Sequence, residues 1–181
     1  GSRCAVMFAR ALGIISDQIT FFAIDGLHTA FIEKEEVHFK MHNVIQWQEV
    51  GKDYVMDTGS PHYLRYVEAT ASVDVVQEGR RVINLNAYRE KGINVNFLEE
   101  VKSNVLNIRT YERGVEAETF SCGTGCTAAA LSLNLKNGVE EVTLNTRGGV
   151  LKVHFTKTTN GFENVYLVGP AEMVFKGEVI L

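Results

Sequence analysis

Apolar residues recur on most sides of two predicted helices, and alternating segments follow each of them. The first helix covers residues 4–12 (CAVMFARAL) and ends at Gly13, and the second covers residues 126–136 and ends at Gly138. Predicted strands follow at residues 19–24, 27–32 and 37–41, and again at residues 141–146, 150–156 and 164–168. A helix that is apolar all round is typical of one that strands enclose.

These two helix-and-strand segments resemble each other at a spacing of roughly 120 residues, much longer than the period of a solenoid. In this alignment Gly1 matches Gly125, the turn Asp25-Gly26 matches Gly148-Gly149, and LHTAFIE matches VLKVHFT. We therefore expect two structurally equivalent halves, each with a sheet around a buried helix. Chance agreement of a few glycines is the alternative.

The segment between the two repeats predicts further strands. Residues 55–56 and 64–67 flank DTGSPH, and the sequence TASVDVVQEGRRV is typical of a helix or a loop. Residues 93–97 (INVNF) alternate apolar residues with asparagine, which places Asn94 and Asn96 on one face of a strand. Residues 104–111 alternate likewise and lead into YERG.

Composition restricts the class of protein and its partners. The chain has 181 residues, of which 45% are hydrophobic and 22% are charged, so it can bury a substantial core. Its net charge is −4 and its Lys and Arg residues are scattered singly, which disfavours a nucleic-acid partner. No apolar run reaches the roughly 18 residues of a membrane span and no secretory leader is visible, so we expect a cytoplasmic protein. Three cysteines without a CxxC pair disfavour a disulfide framework and a metal site.

The sequence CGTG places a cysteine immediately before two glycines at the predicted start of the second helix. Unpaired backbone N–H groups and the helix dipole favour negative charge there, so we expect a lowered pKa and a reactive thiolate at Cys122. Gly123 and Gly125 leave the backbone open for a ligand carboxylate or phosphate, and Thr124 adds a hydroxyl. The alternative is that Cys122 is a small buried residue beside a turn, and we expect Cys126 to lie in the core.

Three other motifs carry polar groups that could act with this thiol. Glu112 and Arg113 in TYERG could recognise the ammonium and carboxylate of an amino acid, although a solvated ion pair is the common alternative. His62 in GSPH could act as an acid, a base or an orienting group. Asn94 and Asn96 could donate hydrogen bonds to a carboxylate or lie at the surface. We interpret the remaining histidines as strand or loop residues without a catalytic role: His28, His38, His42 and His154.

The order PH, INVNF, YERG and CGTG, together with the opening GSRC, resembles the diaminopimelate epimerase family over almost the whole chain. CGTG alone would not distinguish this family from the proline racemases. The resemblance implies an α+β fold with two pseudo-symmetric halves, each a barrel-like, mostly antiparallel sheet around a central helix. It also implies a cofactor-independent enzyme that interconverts LL- and meso-diaminopimelate for lysine and peptidoglycan precursor synthesis. One cysteine from each half would remove or deliver the α-proton, on opposite faces.

The resemblance also assigns roles to individual residues. Cys122 corresponds to one of the two acid/base thiols and is therefore the expected catalytic cysteine. Glu112 and His62 are expected to tune the thiols and to bind the α-amino group. The expected substrate-binding residues are Asn94, Glu112, Arg113, Gly123 and Thr124, of which Gly123 and Thr124 form the carboxylate-binding turn.

The chain departs from the family pattern at three places. GSRC matches only the end of the family motif Cys-Gly-Asn-Gly-x-Arg-Cys, so the partner thiol is expected upstream of Gly1 and the 181-residue chain is expected to be inactive alone. Ser60 stands where the family usually has asparagine, and the loop after YERG is one residue longer. The alternatives that these departures leave open are a related epimerase for another amino acid and a non-catalytic anion-binding domain.

Three segments and one kind of partner are expected. Residues 1–44 would be the remainder of an N-terminal half, residues 45–170 the C-terminal half with CGTG, and residues 171–181 a strand that returns to the N-terminal half. The partner would be a small amino-acid substrate, with no cofactor, nucleic acid or membrane. The sequence leaves the oligomeric state open, a homodimer included.

Overall fold

The structure is a computed structural model that describes residues 1–23 and 26–179. The described residues contain three α-helices, α1 (Ser2–Ala11), α2 (Val75–Ile83) and α3 (Gly123–Asn137). Their strands are β1 (Gln18–Ala23), β2 (Gly26–Glu33), β3 (Glu36–Lys40), β4 (Trp47–Val50), β5 (Asp53–Asp57), β6 (Pro61–Tyr66), β7 (Asn94–Lys102), β8 (Val105–Glu112), β9 (Ala117–Thr119), β10 (Glu141–Thr146), β11 (Gly149–Thr158) and β12 (Gly161–Pro170). The predicted turn at Asp25-Gly26 and the end of the predicted strand 19–24 lie partly outside the described residues.

The strands form one mixed sheet in the order β1-β2-β3-β12-β11-β10-β8-β7-β6-β5-β4, with β9 beside β8. Two neighbouring pairs are parallel, β6 with β7 and β8 with β10, and the other pairs are antiparallel. A parallel pair needs a long crossover, which α2 supplies between β6 and β7 and α3 supplies between β8 and β10. The α+β fold class expected from the sequence is confirmed.

Helix α3 is buried along most of its length, as its apolar pattern predicts. Its buried residues extend from Gly125 to Asn134, and strands β5 to β8 and β10 to β12 surround it. Small alanine side chains in its middle allow the surrounding strands to approach closely. The helix ends at Gly138, whose φ of +81° is a left-handed conformation that glycine adopts without strain.

A helix followed by three antiparallel strands occurs twice, as α1 with β1 to β3 and as α3 with β10 to β12. The last strands of the two sets, β3 and β12, pair antiparallel with each other, as two elements related by a local two-fold axis would do. The segment between β3 and β4 also contacts β12, because Val44 and Phe162 exchange backbone hydrogen bonds. The expected boundary at residues 44 and 45 stays a prediction.

Residues 171–179 form neither a helix nor a strand. Their apolar side chains are exposed, by 67% at Met173 and 85% at Val174. Ala171, Glu172 and Met173 border a groove beside α1 without pairing in the sheet. The return of residues 171–181 to the N-terminal half as a strand stays a prediction. Among the described helices, none is both long enough and apolar enough to cross a membrane.

Candidate active site

A cleft of about 430 Å³ opens where the first turns of α1 and α3 approach each other. Both helices therefore direct unpaired N–H groups of their first turns towards the same space, which favours an anionic ligand group. The lining residues also come from the strands on either side and from the turn before β6. They are Gly1, Ser2, Arg3, His28, Phe39, Met41, His42, Thr58, Gly59, Glu112, Ser121, Cys122, Gly123, Thr124 and Leu167.

Cys122 is the N-cap residue of α3, with an extended backbone (φ −123°, ψ 113°) that ends the loop and begins the helix. The helix starts three residues before its predicted start because both glycines of CGTG adopt helical conformations within its first turn. The predicted position of the thiol at a helix start is confirmed. Its sulfur faces the hydroxyl of Thr124, with 3.4 Å between Sγ and Oγ1.

The protonation of this thiol differs from the expectation. Burial raises the pKa of Cys122, although the Thr124 hydroxyl and the backbone N–H groups of Gly125 and Thr124 act in the opposite direction. The negative charge of Glu112 raises it further. The donors that the sequence predicts are thus present, but the loss of water around the sulfur outweighs them.

His62 lies on β6 directly beneath the first turn of α3 and is fully buried. Its Nε2 lies 2.9 Å from Thr124 Oγ1, and its Nδ1 lies 3.0 Å from the Asn96 amide nitrogen. Burial, followed by the nearby charge of Arg113, lowers the pKa of His62 to about 3. The imidazole is therefore neutral at physiological pH, and it is not among the described residues that line the cleft.

Glu112 is the last residue of β8 and Arg113 is the first residue of the turn that follows, and their side chains lie in different places. Glu112 lines the cleft and its charge acts on Cys122. The Arg113 guanidinium lies on an exposed surface, where its Nη1 donates to the Lys91 carbonyl at 3.0 Å. The structure thus brings the Glu112 carboxylate to the thiol and leaves the Arg113 side chain outside the residues that line the cleft.

Through hydrogen bonds, Asn94 joins the turn before β6 to the turn after β8. Its amide nitrogen donates to Ser60 Oγ at 2.8 Å and to the Pro61 carbonyl at 3.1 Å, and its Oδ1 accepts from the Arg113 backbone N–H at 2.9 Å. Both amide hydrogens are therefore used within the protein. Ser60, the residue that departs from the family pattern, is one of these internal partners, and the predicted contact of Asn94 with a substrate stays a prediction.

Several cleft residues were missed by the sequence analysis. Thr58 is buried and its hydroxyl donates to the Thr124 carbonyl at 2.8 Å, which attaches the turn before β6 to the start of α3. His28 and His42, which we interpreted as strand or loop residues without a role, both line the cleft, and His28 stacks on Phe39 at 5.1 Å between ring centroids. These residues are separated in sequence from Cys122, and only the alignment of the two repeats indicates that β2 and β3 correspond to β11 and β12.

The other two cysteines lie away from the cleft lining. Cys126 is buried among core residues, as predicted, and burial raises its pKa strongly. Cys4 is exposed on α1. Within the described ranges, no group of three or more His, Cys, Asp or Glu side chains has the arrangement of a metal site.

Comparison with known proteins gives the family. The family model for diaminopimelate epimerase matches residues 54–174. A diaminopimelate epimerase of Flavobacterium psychrophilum is 42% identical over 97% of this chain and 70% of the relative, and one of Aquifex aeolicus is 34% identical over 99% and 68%. A Bacillus anthracis phenazine biosynthesis protein of the PhzF family shares the fold, with a TM-score of 0.73 at 12% identity, over 100% of this chain and 75% of that one.

A strand-enclosed helix that starts at a cleft thiol, in a chain with these relatives, defines the protein as an isomerase of the epimerase class. The chain belongs to the diaminopimelate epimerase family.

Proposed function

We propose that the protein interconverts LL- and meso-diaminopimelate without a cofactor, by a reaction in which one thiolate removes the α-proton and a second thiol delivers another proton, Cys122 being one of the two. The observation that carries this proposal is the position of the Cys122 sulfur, which lies at the N-terminus of a buried helix in a cleft that a second helix N-terminus also lines. Lysine and peptidoglycan precursor synthesis in the cytoplasm would be its setting.

The chemistry demands a strong base and a stabilised carbanion, because the α-proton of an amino acid is very weakly acidic. The N–H groups of Gly123 and Thr124 would hold the α-carboxylate, and Glu112 would accept a hydrogen bond from the α-ammonium group. The fixed dipoles of these N–H groups would stabilise the charge as the C–H bond breaks. Burial, which raises the pKa of Cys122, makes its thiolate a stronger base towards that proton.

Inversion requires an acid on the face of the α-carbon opposite Cys122. That side of the cleft is formed by the first turn of α1, with Gly1, Ser2 and Arg3. We assign the second thiol to this side. One sulfur takes the α-proton, and the other sulfur donates its own proton to the opposite face of the same carbon. The two thiols together therefore gain one proton and lose one.

The proposal is tested by α-proton exchange in D₂O. Purified protein that carries both Cys122 and the proposed second thiol is incubated with LL- or meso-diaminopimelate, and deuterium at the α-carbon is measured by mass spectrometry. Cys122→Ala is expected to lower the exchange rate by about 10²-fold or more, because it removes a general base. The exposed Cys4→Ser variant is the matched control and is expected to exchange as the wild type does.

Two other outcomes distinguish the alternative functions. A panel of other amino acids identifies a related epimerase if one of them exchanges faster than diaminopimelate. If no amino acid exchanges while an anion still binds equally to the wild type and to Cys122→Ser, the protein is an anion-binding domain and the proposed reaction is wrong.

A further inference from the structure

A chain of hydrogen-bonded polar side chains lies beneath the first turn of α3 and ends at the active-site sulfur. The Thr110 hydroxyl donates to Asn96 Oδ1 at 3.0 Å, and the Asn96 amide nitrogen lies 3.0 Å from His62 Nδ1. His62 Nε2 lies 2.9 Å from Thr124 Oγ1, which lies 3.4 Å from Cys122 Sγ. Thr110, Asn96 and His62 are at most 3% exposed, so water does not replace these bonds.

The direction of each hydrogen bond follows from the orientation of the Asn96 amide. Its nitrogen also donates to the Tyr63 carbonyl at 3.2 Å, and its oxygen accepts from Thr110. A flipped amide would place its oxygen against that carbonyl, so the nitrogen faces His62. His62 Nδ1 is then an acceptor, and the ring hydrogen lies on Nε2.

The imidazole Nε2–H therefore donates to Thr124 Oγ1. The Thr124 hydroxyl has one hydrogen of its own, and the Cys122 sulfur is the neighbour that can accept it. Because burial and Arg113 keep the pKa of His62 at about 3, the ring stays neutral and this direction holds throughout the physiological range. The Glu112 carboxylate is the other ionisable group that acts on Cys122, and Cys122 in turn raises the pKa of the buried Cys126 thiol.

The first turn of helix α3 packs directly against the hydrogen-bonded side chains of Asn96 and His62. A Cβ atom at Gly125 would lie 2.5 Å from Asn96 Oδ1 and 3.2 Å from His62 Cε1. Any larger residue would displace the amide or the imidazole. The second glycine of CGTG is thus explained by the close approach of the helix to Asn96 and His62.

We propose that Asn96 and His62 are positioning residues that fix the Thr124 hydroxyl as a hydrogen-bond donor to the Cys122 thiolate. His62 then acts through Thr124 and does not itself exchange a proton with the substrate. The inference rests on the proposed function for its catalytic meaning. Its test is independent of turnover, because it measures the thiol itself.

The first experiment measures alkylation of Cys122 by iodoacetamide as a function of pH, read by peptide mass spectrometry. The exposed Cys4 of the same molecule is the internal reference. Thr124→Val is expected to slow alkylation of Cys122 about tenfold near neutral pH relative to Cys4, since a hydrogen bond to a charged group is lost. Thr124→Ser keeps the hydroxyl and is expected to restore the rate.

A matched control uses another threonine of the same helix. The Thr127 hydroxyl donates to the Gly123 carbonyl at 3.0 Å rather than to sulfur, so Thr127→Val should leave the alkylation profile of Cys122 unchanged. Equal slowing in Thr127→Val and Thr124→Val would mean a general loss of packing and would overturn the proposal. An unchanged profile in Thr124→Val would overturn it as well.

The second experiment tests the direction of the hydrogen bonds at His62. Nitrogen-15 NMR of the wild-type protein should show a protonated Nε2 and an unprotonated Nδ1 for this ring, with the signals assigned by through-bond correlations from the His62 backbone to its ring. The opposite tautomer contradicts the inference even if every variant fails to fold. Glutamine can place an amide N–H near the Nε2 position, so His62→Gln should keep more of the Cys122 reactivity than His62→Leu, and Asn96→Leu should resemble the latter.

Discussion

Two effects of opposite sign act on the pKa of the Cys122 thiol. Backbone N–H groups and the Thr124 hydroxyl favour the thiolate, whereas burial and the Glu112 carboxylate favour the thiol. The larger effect is burial, so the pKa is raised. Under the proposed function, the ammonium group of a bound substrate would add a positive charge beside Glu112 and would lower the pKa of Cys122.

His62 should make stability depend on pH in a definite direction. Its pKa is about 3 in the folded protein and ordinarily 6.5, so between these values the unfolded chain binds a proton that the folded protein does not. The free energy of unfolding should therefore fall as pH falls from 6.5 towards 3, by about 1.4 kcal/mol per pH unit from this group alone.

Denaturant unfolding of the wild type and His62→Gln at several pH values tests this dependence. Between pH 6 and pH 4, the free energy of unfolding should depend less steeply on pH in the variant than in the wild type, by the slope that one proton contributes. His154, whose pKa burial also lowers, is present in both proteins and cancels in the comparison. Parallel stability curves for the two proteins would show that His62 is not held neutral by the fold.

The residues of CGTG could be identified from sequence because the helix start depends on local features, a cysteine followed by glycines. The chain from Thr110 to His62 could not be. Its members come from β6, β7 and β8, and their contacts depend on a register in which Leu64 pairs with Asn96 and Asn96 pairs with Thr110. The conformation of the Arg113 side chain likewise depends on the Lys91 carbonyl, which no sequence motif marks.

At the scale of elements, Arg109 connects β8 to two neighbouring segments. Its guanidinium donates to both oxygens of Glu118 on β9, at 2.7 and 2.8 Å. It also donates to the carbonyls of Thr70 and Val73, at 2.8 and 2.9 Å, in the segment that leads into α2. The planar guanidinium thus donates to acceptors in segments that are not paired with each other in the sheet.

Removal of this guanidinium should be costly. Arg109→Met is expected to lower the free energy of unfolding by about 2–4 kcal/mol, because two carbonyls lose their donor and a partly buried carboxylate loses a partner. Thermal and denaturant unfolding measure the loss. Arg81→Met is the matched control, since Arg81 pairs with Glu78 on the exposed face of α2 and its loss should change stability by about 0.5 kcal/mol or less. Similar losses in the two variants would contradict the argument.

At the scale of the whole molecule, the cleft depends on how the two helix-and-strand sets are held together. Strands β3 and β12 join them through the sheet, and the segment after β3 is held on β12 by the Val44–Phe162 bridge. At the first residue of β12, a Cβ on Gly161 would lie 2.3 Å from the Val44 carbonyl oxygen and 2.9 Å from Ile45 Cα. These are backbone atoms, which cannot move aside as a side chain can.

Gly161→Ala should therefore weaken the joint between the two sets as well as strain the local backbone. Gly161 has a φ of +144°, whereas Gly149 has a φ of +129° and no atom within 4 Å of the position that a Cβ would occupy. Gly149→Ala thus measures the conformational cost alone, about 1–2 kcal/mol, and Gly161→Ala should cost at least about 2 kcal/mol more. Unfolding in denaturant gives both values. If the two variants lose equal stability, the close approach of the Val44 segment does not hold the sets together, and their alignment at the cleft must come from the β3–β12 pairing alone.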